Sequence, residues 1–78
     1  KMELSIQYFG IIAEITGLEE EKLKIKDEKI GELIDSIINK YPGLKGRDFQ
    51  IAQNKKIVDN EEPVNGAEIA LLPPFSGG

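Results

Sequence analysis

The residues with the clearest chemical potential stand together at the end of the chain, over Pro73–Gly78. Two adjacent prolines have few conformations and direct a chain away from a preceding strand. Gly77 and Gly78 have no side chains, so they could enter a narrow channel. The distinct group is the α-carboxylate of Gly78, which is ionised and a poor electrophile at neutral pH. Activation by another protein, for example as an acyl-adenylate, would make it reactive, and a terminus without function would fit the same residues.

The rest of the chain offers no conventional catalytic set. The sequence contains no histidine and no cysteine, so no serine or threonine hydroxyl can have an imidazole partner, and no thiolate metal site can form. The run Glu19–Glu21 is expected to lie in a solvated turn. Glu28, Glu32 and Asp35 could gather a divalent cation, but they fit the polar face of a helix better. We therefore predict no metal site.

Charge and composition argue against two further classes of partner. The net charge is −4, so phosphate backbones and anionic lipid are not favoured, and we expect neither nucleic acid nor membrane binding. Lys22, Lys24 and Lys26 alternate with apolar residues, which is typical of a charged edge strand. A patch for an acidic partner is the alternative. The lack of cysteine fits a cytoplasmic protein.

Apolar spacing predicts the first half of the fold. Period-two alternation indicates strands over Met2–Phe9 and Lys22–Lys26, joined as a hairpin. Ile11–Ile15 fits a single helical turn or a packed loop. A helix with Asp27 as a possible N-cap follows, because one apolar stripe is formed by Ile30, Leu33, Ile34, Ile37, Ile38 and Tyr41.

The second half adds strands and ends on prolines. After a polar loop over 44–48, strands are predicted at Phe49–Gln53, Ile57–Val58 and Glu68–Leu72, with turns at Asn54-Lys55 and at Val64-Asn65-Gly66. The last is apolar enough to be central, and the proline pair must end it. One helix packed on one face of a mixed sheet gives an α+β domain. The first hairpin and the hydrophobic last strand favour a β-grasp (ubiquitin-like) arrangement, with the first and last strands adjacent. We predict a β-grasp domain over 2–74 and a flexible tail over 75–78.

Several segments, in this order along the chain, carry a resemblance to a known family. The ending Leu72–Gly78 is its specific part, and the scaffold segments that agree are Tyr8–Gly10, Glu14–Gly17, Ile30–Ile34, Lys40–Leu44, Ile51–Asn54 and Val64–Ala70. Together they resemble the molybdopterin synthase small subunit, the MoaD family of ubiquitin-like sulfur carriers. Many members carry a basic residue before the acidic one after the first strand. Here Ile12 and Ala13 precede Glu14.

The resemblance implies a mechanism in which this chain carries sulfur without supplying catalytic side chains. A MoeB-like adenylyltransferase, related to ubiquitin-activating enzymes, would use ATP to adenylate Gly78, and a sulfur donor would then leave a C-terminal thiocarboxylate. The tail would enter the large synthase subunit (MoaE-like) and give its sulfur to a pterin precursor. Pro73, Pro74, Phe75, Ser76 and Gly77 would bind the partner, and no cofactor would be held by this chain itself.

Two other functions use the same activated terminus. A thiamine-type (ThiS) sulfur carrier shares the fold and the Gly-Gly ending, although the proline pair favours the molybdenum type. A ubiquitin-like protein modifier would instead join Gly78 to a lysine amine of a target protein. An interaction domain with an inert tail is a further alternative.

Overall fold

The secondary structure follows the predicted order. The computed structural model describes residues 2–26, 28–65 and 68–74. Within them lie the strands β1 (Met2–Tyr8), β2 (Glu20–Ile25), β3 (Gln50–Gln53), β4 (Lys56–Val58) and β5 (Glu68–Leu72), the helices α1 (Ile11–Thr16) and α2 (Ile30–Lys40), and a 3₁₀ turn at Pro42–Leu44.

The strands form one mixed sheet in the order β2-β1-β5-β3-β4. β1 pairs antiparallel with β2 and parallel with β5, while β3 is antiparallel to both β5 and β4. The first and last strands therefore lie side by side, and β5 is central, as predicted. The α+β class, with a mixed sheet and one main helix, is confirmed.

The core lies between the sheet and α2. In β1 the alternation holds, because Leu4, Ile6 and Tyr8 are at most 2% exposed. The other members of the same buried cluster are Ile12, Ile30, Leu33, Ile34, Ile37, Leu44, Ile51, Val64, Ile69 and Leu71. Full burial of one such aliphatic side chain contributes about 1.5–3 kcal/mol, so this cluster is the main source of stability.

The start of α2 differs from the prediction. The N-cap position is held by Lys29, not by Asp27, which is outside the described residues. The first backbone N–H groups of a helix need partners from outside the helix. Here the N–H of Ile30 donates to the carbonyl of Glu62 (2.9 Å), and the N–H of Gly31 to that of Asn60 (3.0 Å). Because the loop after β4 satisfies these donors, no capping side chain of the usual kind is needed.

Two residues that were expected in polar loops or turns are buried in the core. Leu44, predicted in a polar loop, is 0% exposed, and Val64, predicted in a turn with Asn65 and Gly66, is 2% exposed. Gly66 lies outside the described residues. The predicted turn at Asn54-Lys55 is confirmed, since both residues have the positive φ values, 51° and 72°, of a tight hairpin. Among the described residues no helix is long and apolar enough to cross a membrane.

Candidate functional site

The strand that carries the tail is paired on both of its sides. β5 bonds to β1 on one side and to β3 on the other, and Leu72 at its end is still in register with Gln50. Pro73, half-buried, and Pro74, exposed, follow directly. A proline has no N–H for a ladder, so the chain leaves the sheet here. Of the predicted site residues, Pro73 and Pro74 are therefore placed at the root of the tail, while Phe75, Ser76, Gly77 and Gly78 lie outside the described residues.

Gly10 lies directly against this root. It follows β1 with φ +58°, and a Cβ built on it would be 2.7 Å from Cγ of Pro73. The N–H of Phe9 donates to the carbonyl of Leu71 (3.2 Å), which continues the β1–β5 pairing one residue beyond the strand. The turn from β1 into α1 therefore supports the point where the tail begins.

An apolar strip runs across the sheet face opposite α2, next to the tail root. In register order, Ala70 faces Ala52, and Ala52 faces Ile57, so the three form a row across β5, β3 and β4. Phe9 and Leu72 lie on the same face near the end of the strands. Each directly follows a buried residue, Tyr8 or Leu71, and successive residues of a strand point to opposite faces. Phe9 is 44% exposed and Ile57 is 60% exposed. Exposed apolar groups clustered beside a functional tail are typical of a docking surface.

This strip was not identified from the sequence. The alternation in β1 was a usable signal. Leu4, Ile6 and Tyr8 point inward, so the next odd position must point outward. Ile57 could have been found in the same way from the two-residue turn that precedes β4.

A shallow groove adjoins the strip at the edge of the sheet. Its volume is about 480 Å³, and it is lined by Phe49, Gln50, Ile51, Ile57, Val58, Asp59, Asn60 and Glu61. The carboxylate of Glu61 is paired with Lys29 at 3.3 Å. The groove thus offers contact area beside Ile57 but no general acid–base pair.

Glu21 is not part of a solvated run, contrary to the sequence expectation. Its side chain is 13% exposed, and its carboxylate accepts hydrogen bonds from the hydroxyls of Tyr8 (2.5 Å) and Tyr41 (2.8 Å) and from Nζ of Lys40 (2.7 Å). We call these four residues the Glu21 cluster. It joins β1 and β2 to the end of α2.

The cluster shifts the pKa of each member. Burial acts to raise the pKa of Glu21, but the bonds from Lys40, Tyr8 and Tyr41 outweigh it, so the pKa lies below its usual range. Burial, and then the bond to Glu21, raise the pKa of Tyr8 and of Tyr41. The hydrogen bond to Glu21 raises the pKa of Lys40. All four shifts favour one arrangement, a carboxylate with three protonated donors, which is a structural clamp and not a catalytic centre.

The other predicted acidic candidates do not form a metal site. Burial, and then the charge of Glu32, raise the pKa of Glu28, and Glu32 is engaged by the backbone N–H of Lys29 at 2.8 Å. Within residues 2–26, 28–65 and 68–74, no three potential ligands gather around one point. Lys22 and Lys24 are exposed on β2, which is an edge strand as expected, and Lys26 is exposed just beyond it.

Two hydroxyl groups that the sequence offers as nucleophiles, those of Ser5 and Thr16, have structural partners. The hydroxyl of Ser5 donates to Glu20 at 3.3 Å, and that of Thr16 bonds to backbone groups of α1 and Leu18. The Ser5–Glu20 contact is exposed and long for a hydroxyl–carboxylate hydrogen bond, so it does not make Ser5 an activated nucleophile. The terminal residues beyond Pro74 remain the candidates that the sequence analysis predicts.

Comparison with known proteins agrees with this geometry. The profile of the ThiS family matches residues 6–78. A molybdopterin synthase sulfur carrier subunit of Chlamydomonas reinhardtii is 31% identical, covering 99% of this chain and 100% of that protein. The human protein of the same name is 34% identical, over 97% of this chain and 94% of that one. Small archaeal modifier protein 1 of Haloferax volcanii is 27% identical over 90% and 94%.

Solved structures show the same fold. A Pyrococcus furiosus protein superposes with a TM-score of 0.88 at 21% identity, covering 96% of this chain and 100% of that chain. A complex of subunits 1 and 2 of molybdopterin-converting factor from Helicobacter pylori contains a chain that is 30% identical, with a TM-score of 0.63 and coverage of 99% and 100%. The chain therefore belongs to the ThiS family and, within it, resembles the ubiquitin-like sulfur carriers of the MoaD type.

Proposed function

We propose that this chain is the sulfur carrier subunit of a molybdopterin synthase. The observation that carries the proposal is the match, along almost the whole chain, to two relatives of that name, in a protein whose central strand leads directly into a Gly-Gly tail. We place the reaction in the cytoplasm, where ATP is available to the activating enzyme.

The chemistry is that of an activated carboxylate. A MoeB-like adenylyltransferase transfers AMP from ATP to the α-carboxylate of Gly78 and releases pyrophosphate. A sulfide-level donor then attacks the acyl carbon, AMP leaves, and Gly78 ends in a thiocarboxylate; a persulfide donor would first form an acyl disulfide, which a thiol would have to reduce. This order is chemically required, because an ionised carboxylate is a poor acyl donor and its mixed anhydride with AMP is a good one. The thiocarboxylate sulfur then passes to a pterin precursor.

The large synthase subunit is the partner proposed for the transfer step. Subunits 1 and 2 of the Helicobacter pylori factor form a complex, and in this chain the apolar strip flanks the tail root. Phe9 and Ile57 are the most exposed members of the strip. Burying about 100 Å² of apolar surface on either side chain would contribute about 2–3 kcal/mol before association costs. Pro73 to Gly77 would line the entrance to the partner's active site.

The catalytic side chains belong to that large subunit in this proposal. The described residues of this chain provide a hydrogen-bonded clamp and apolar contacts but no nucleophile paired with a histidine, since the sequence has none. This chain contributes the substrate sulfur and its delivery.

The direct test is intact-mass spectrometry of the chain after incubation with the cognate adenylyltransferase, ATP and a sulfur donor. We expect a mass gain equal to one oxygen replaced by one sulfur, and none after deletion of Gly78. Gly77→Val should also block modification or transfer, because a branched side chain would obstruct a channel that fits glycine. An unmodified wild-type chain, with an adenylyltransferase shown to be active on another carrier, would refute the sulfur-carrier function.

The docking surface has its own test. Ile57→Lys should weaken binding to the large subunit by at least tenfold, since a charge would replace an apolar anchor, while Leu18→Lys is the control. Leu18 is also an exposed apolar residue, at 39%, but it lies outside the strip. Equal affinities for the two variants would exclude the strip from the interface.

A second function, protein modification, is favoured by one comparison. The Haloferax volcanii relative is named a small archaeal modifier protein, and an adenylated Gly78 would also react with a lysine amine. Higher-mass conjugates that disappear on deletion of Gly78 would support this function. A thiamine-type carrier is the remaining alternative, and it would acquire sulfur without binding the large synthase subunit.

A further inference from the structure

Gly10 occupies a position that no other residue type can hold without change. Its φ of +58° and ψ of −134° lie in a region that L side chains rarely adopt. Its carbonyl also accepts the backbone N–H groups of Ala13 (3.1 Å) and Glu14 (3.3 Å), so it begins α1. The conformation therefore brings the start of α1 beneath the tail root.

The space at Gly10 is filled by the ring of Pro73. A Cβ at Gly10 would lie 2.7 Å from Cγ, 3.7 Å from Cδ and 3.9 Å from Cβ of that proline. Ordinary contact begins at 3.4 Å, so a methyl group would displace the ring by about 0.7 Å or distort the turn.

The displacement cannot be absorbed within β5. Leu71 is paired with Tyr8 in the parallel ladder and accepts the N–H of Phe9, while Leu72 is paired with Gln50. The strand is thus held up to the residue before the proline. A displacement of Pro73 therefore changes the direction in which Pro73 and Pro74 leave the sheet.

We propose that Gly10 is a positioning residue for the tail: its lack of a side chain lets Pro73 pack on the β1–α1 turn and sets the direction of the segment that carries Gly78. This inference rests on the proposed sulfur-carrier function. A shift of about 0.7 Å at Pro73, over a Cα step of about 3.8 Å, is a rotation of about 10°. The tail then leaves its root in a direction that no longer fits the bound state, so part of the binding energy is used to restore that direction.

The experiment compares Gly10→Ala with Gly17→Ala as a control for placing a side chain at a positive-φ glycine next to α1. A Cβ at Gly17, where φ is +79°, would meet nothing within 4 Å. Backbone strain is larger at Gly10, where ψ is −134° against 10° at Gly17, so the strain and the contact with the proline are separated by the Pro73→Ala arm described below. With thiocarboxylated chain and the large subunit, we expect Gly10→Ala to raise KM about tenfold with kcat at saturation within about threefold. Gly17→Ala should leave both near wild type.

Pro73→Ala provides the second arm, because it removes the ring and leaves the backbone of Gly10 intact. Alone it should raise KM in the same direction, and Gly10→Ala in its background should add little, since the clash is already gone. If Gly10→Ala fails to fold, Pro73→Ala still tests the contact. Kinetics of Gly10→Ala equal to those of Gly17→Ala, or additive effects of Gly10→Ala and Pro73→Ala, would overturn the proposal.

Binding separates this inference from the proposed function. Isothermal titration of the unmodified chain with the large subunit needs no sulfur, and Gly10→Ala should weaken it relative to Gly17→Ala. A wild-type chain that binds but never gains sulfur would defeat the sulfur-carrier function and leave the positioning role measurable. A wild-type chain that does not bind the large subunit would defeat both.

Discussion

Replacement of Glu21 tests how much the hydrogen bonds to its carboxylate contribute to the free energy of unfolding. In Glu21→Ala the hydroxyls of Tyr8 and Tyr41 and the ammonium of Lys40 lose their shared acceptor. Tyr8 is only 2% exposed, so its hydroxyl is left without a ready replacement. An unsatisfied buried donor costs about 1–3 kcal/mol, and a hydrogen bond to a charged group contributes about 1.5–3 kcal/mol.

The expected loss in Glu21→Ala is about 2–4 kcal/mol, allowing for water at the exposed side of the cluster. For a domain of this size that corresponds to a fall in Tm of about 10–20 °C. Glu21→Gln keeps one acceptor oxygen but turns an amide donor toward other donors, so its loss should be about half as large. Thermal and urea unfolding, followed by circular dichroism, measure both.

Glu19→Ala is the control, since Glu19 is an exposed member of the same run and should change Tm by only a few degrees. The pH dependence gives a separate check. The pKa of Glu21 is lowered by folding, so its stabilisation is present above the ordinary glutamate pKa and is lost as pH falls through the lowered value. The difference between wild type and Glu21→Gln should therefore be full at about pH 7 and shrink below about pH 4. Equal stabilities of the Glu21→Ala and Glu19→Ala variants at neutral pH would refute the clamp.

Two further outcomes follow from the same contacts. Folding raises the pKa of Tyr8 and Tyr41, mainly through burial, so their stabilisation is present below the ordinary tyrosine pKa of about 10 and is lost above it; phenolate absorbance should rise together with unfolding, and a tyrosine that titrates near pH 10 in the folded protein would contradict this. Gly31→Ala should not stabilise α2 despite a propensity gain of about 1 kcal/mol, because the new Cβ would lie 3.1 Å from Cβ and 3.3 Å from the carbonyl oxygen of Asn60; a clear rise in the urea midpoint would show that the loop yields.

The features of the fold that could be predicted from sequence are those that depend on the residue pattern within a single strand, helix or turn. The inward positions of β1 and the apolar stripe of α2 follow from periods of two and 3.6 residues, and the structure buries them. The Asn54-Lys55 turn follows from local backbone preference. The position of β5 at the centre of the sheet was accessible because a strand covered on both sides needs a nearly continuous apolar run.

The features that could not be predicted depend on contacts between residues of different helices, strands and loops. Glu21 has the same local sequence signal as Glu19 and differs only because Tyr8, Tyr41 and Lys40 converge on it. Lys29 replaces a conventional N-cap because loop carbonyls from Asn60 and Glu62 meet the first N–H groups of α2. Intrinsic propensities for helix or strand carry no information about such tertiary contacts. The contact of Gly10 with Pro73 is of the same kind, since a glycine after a strand predicts a turn but not what packs on it.

The position of the tail root in the sheet has a consequence for delivery. A tail that leaves an edge strand could draw that strand out of the sheet as a partner engages it, and part of the binding energy would be spent on unpairing. Here β5 is held by β1 and β3 up to Leu72, and Pro73 cannot extend the ladder in either direction. The boundary between scaffold and tail is therefore fixed by hydrogen bonding on one side and by proline chemistry on the other. Binding energy gained at the apolar strip can then act on the orientation of the tail, because the strip lies on the strands that hold the root in place.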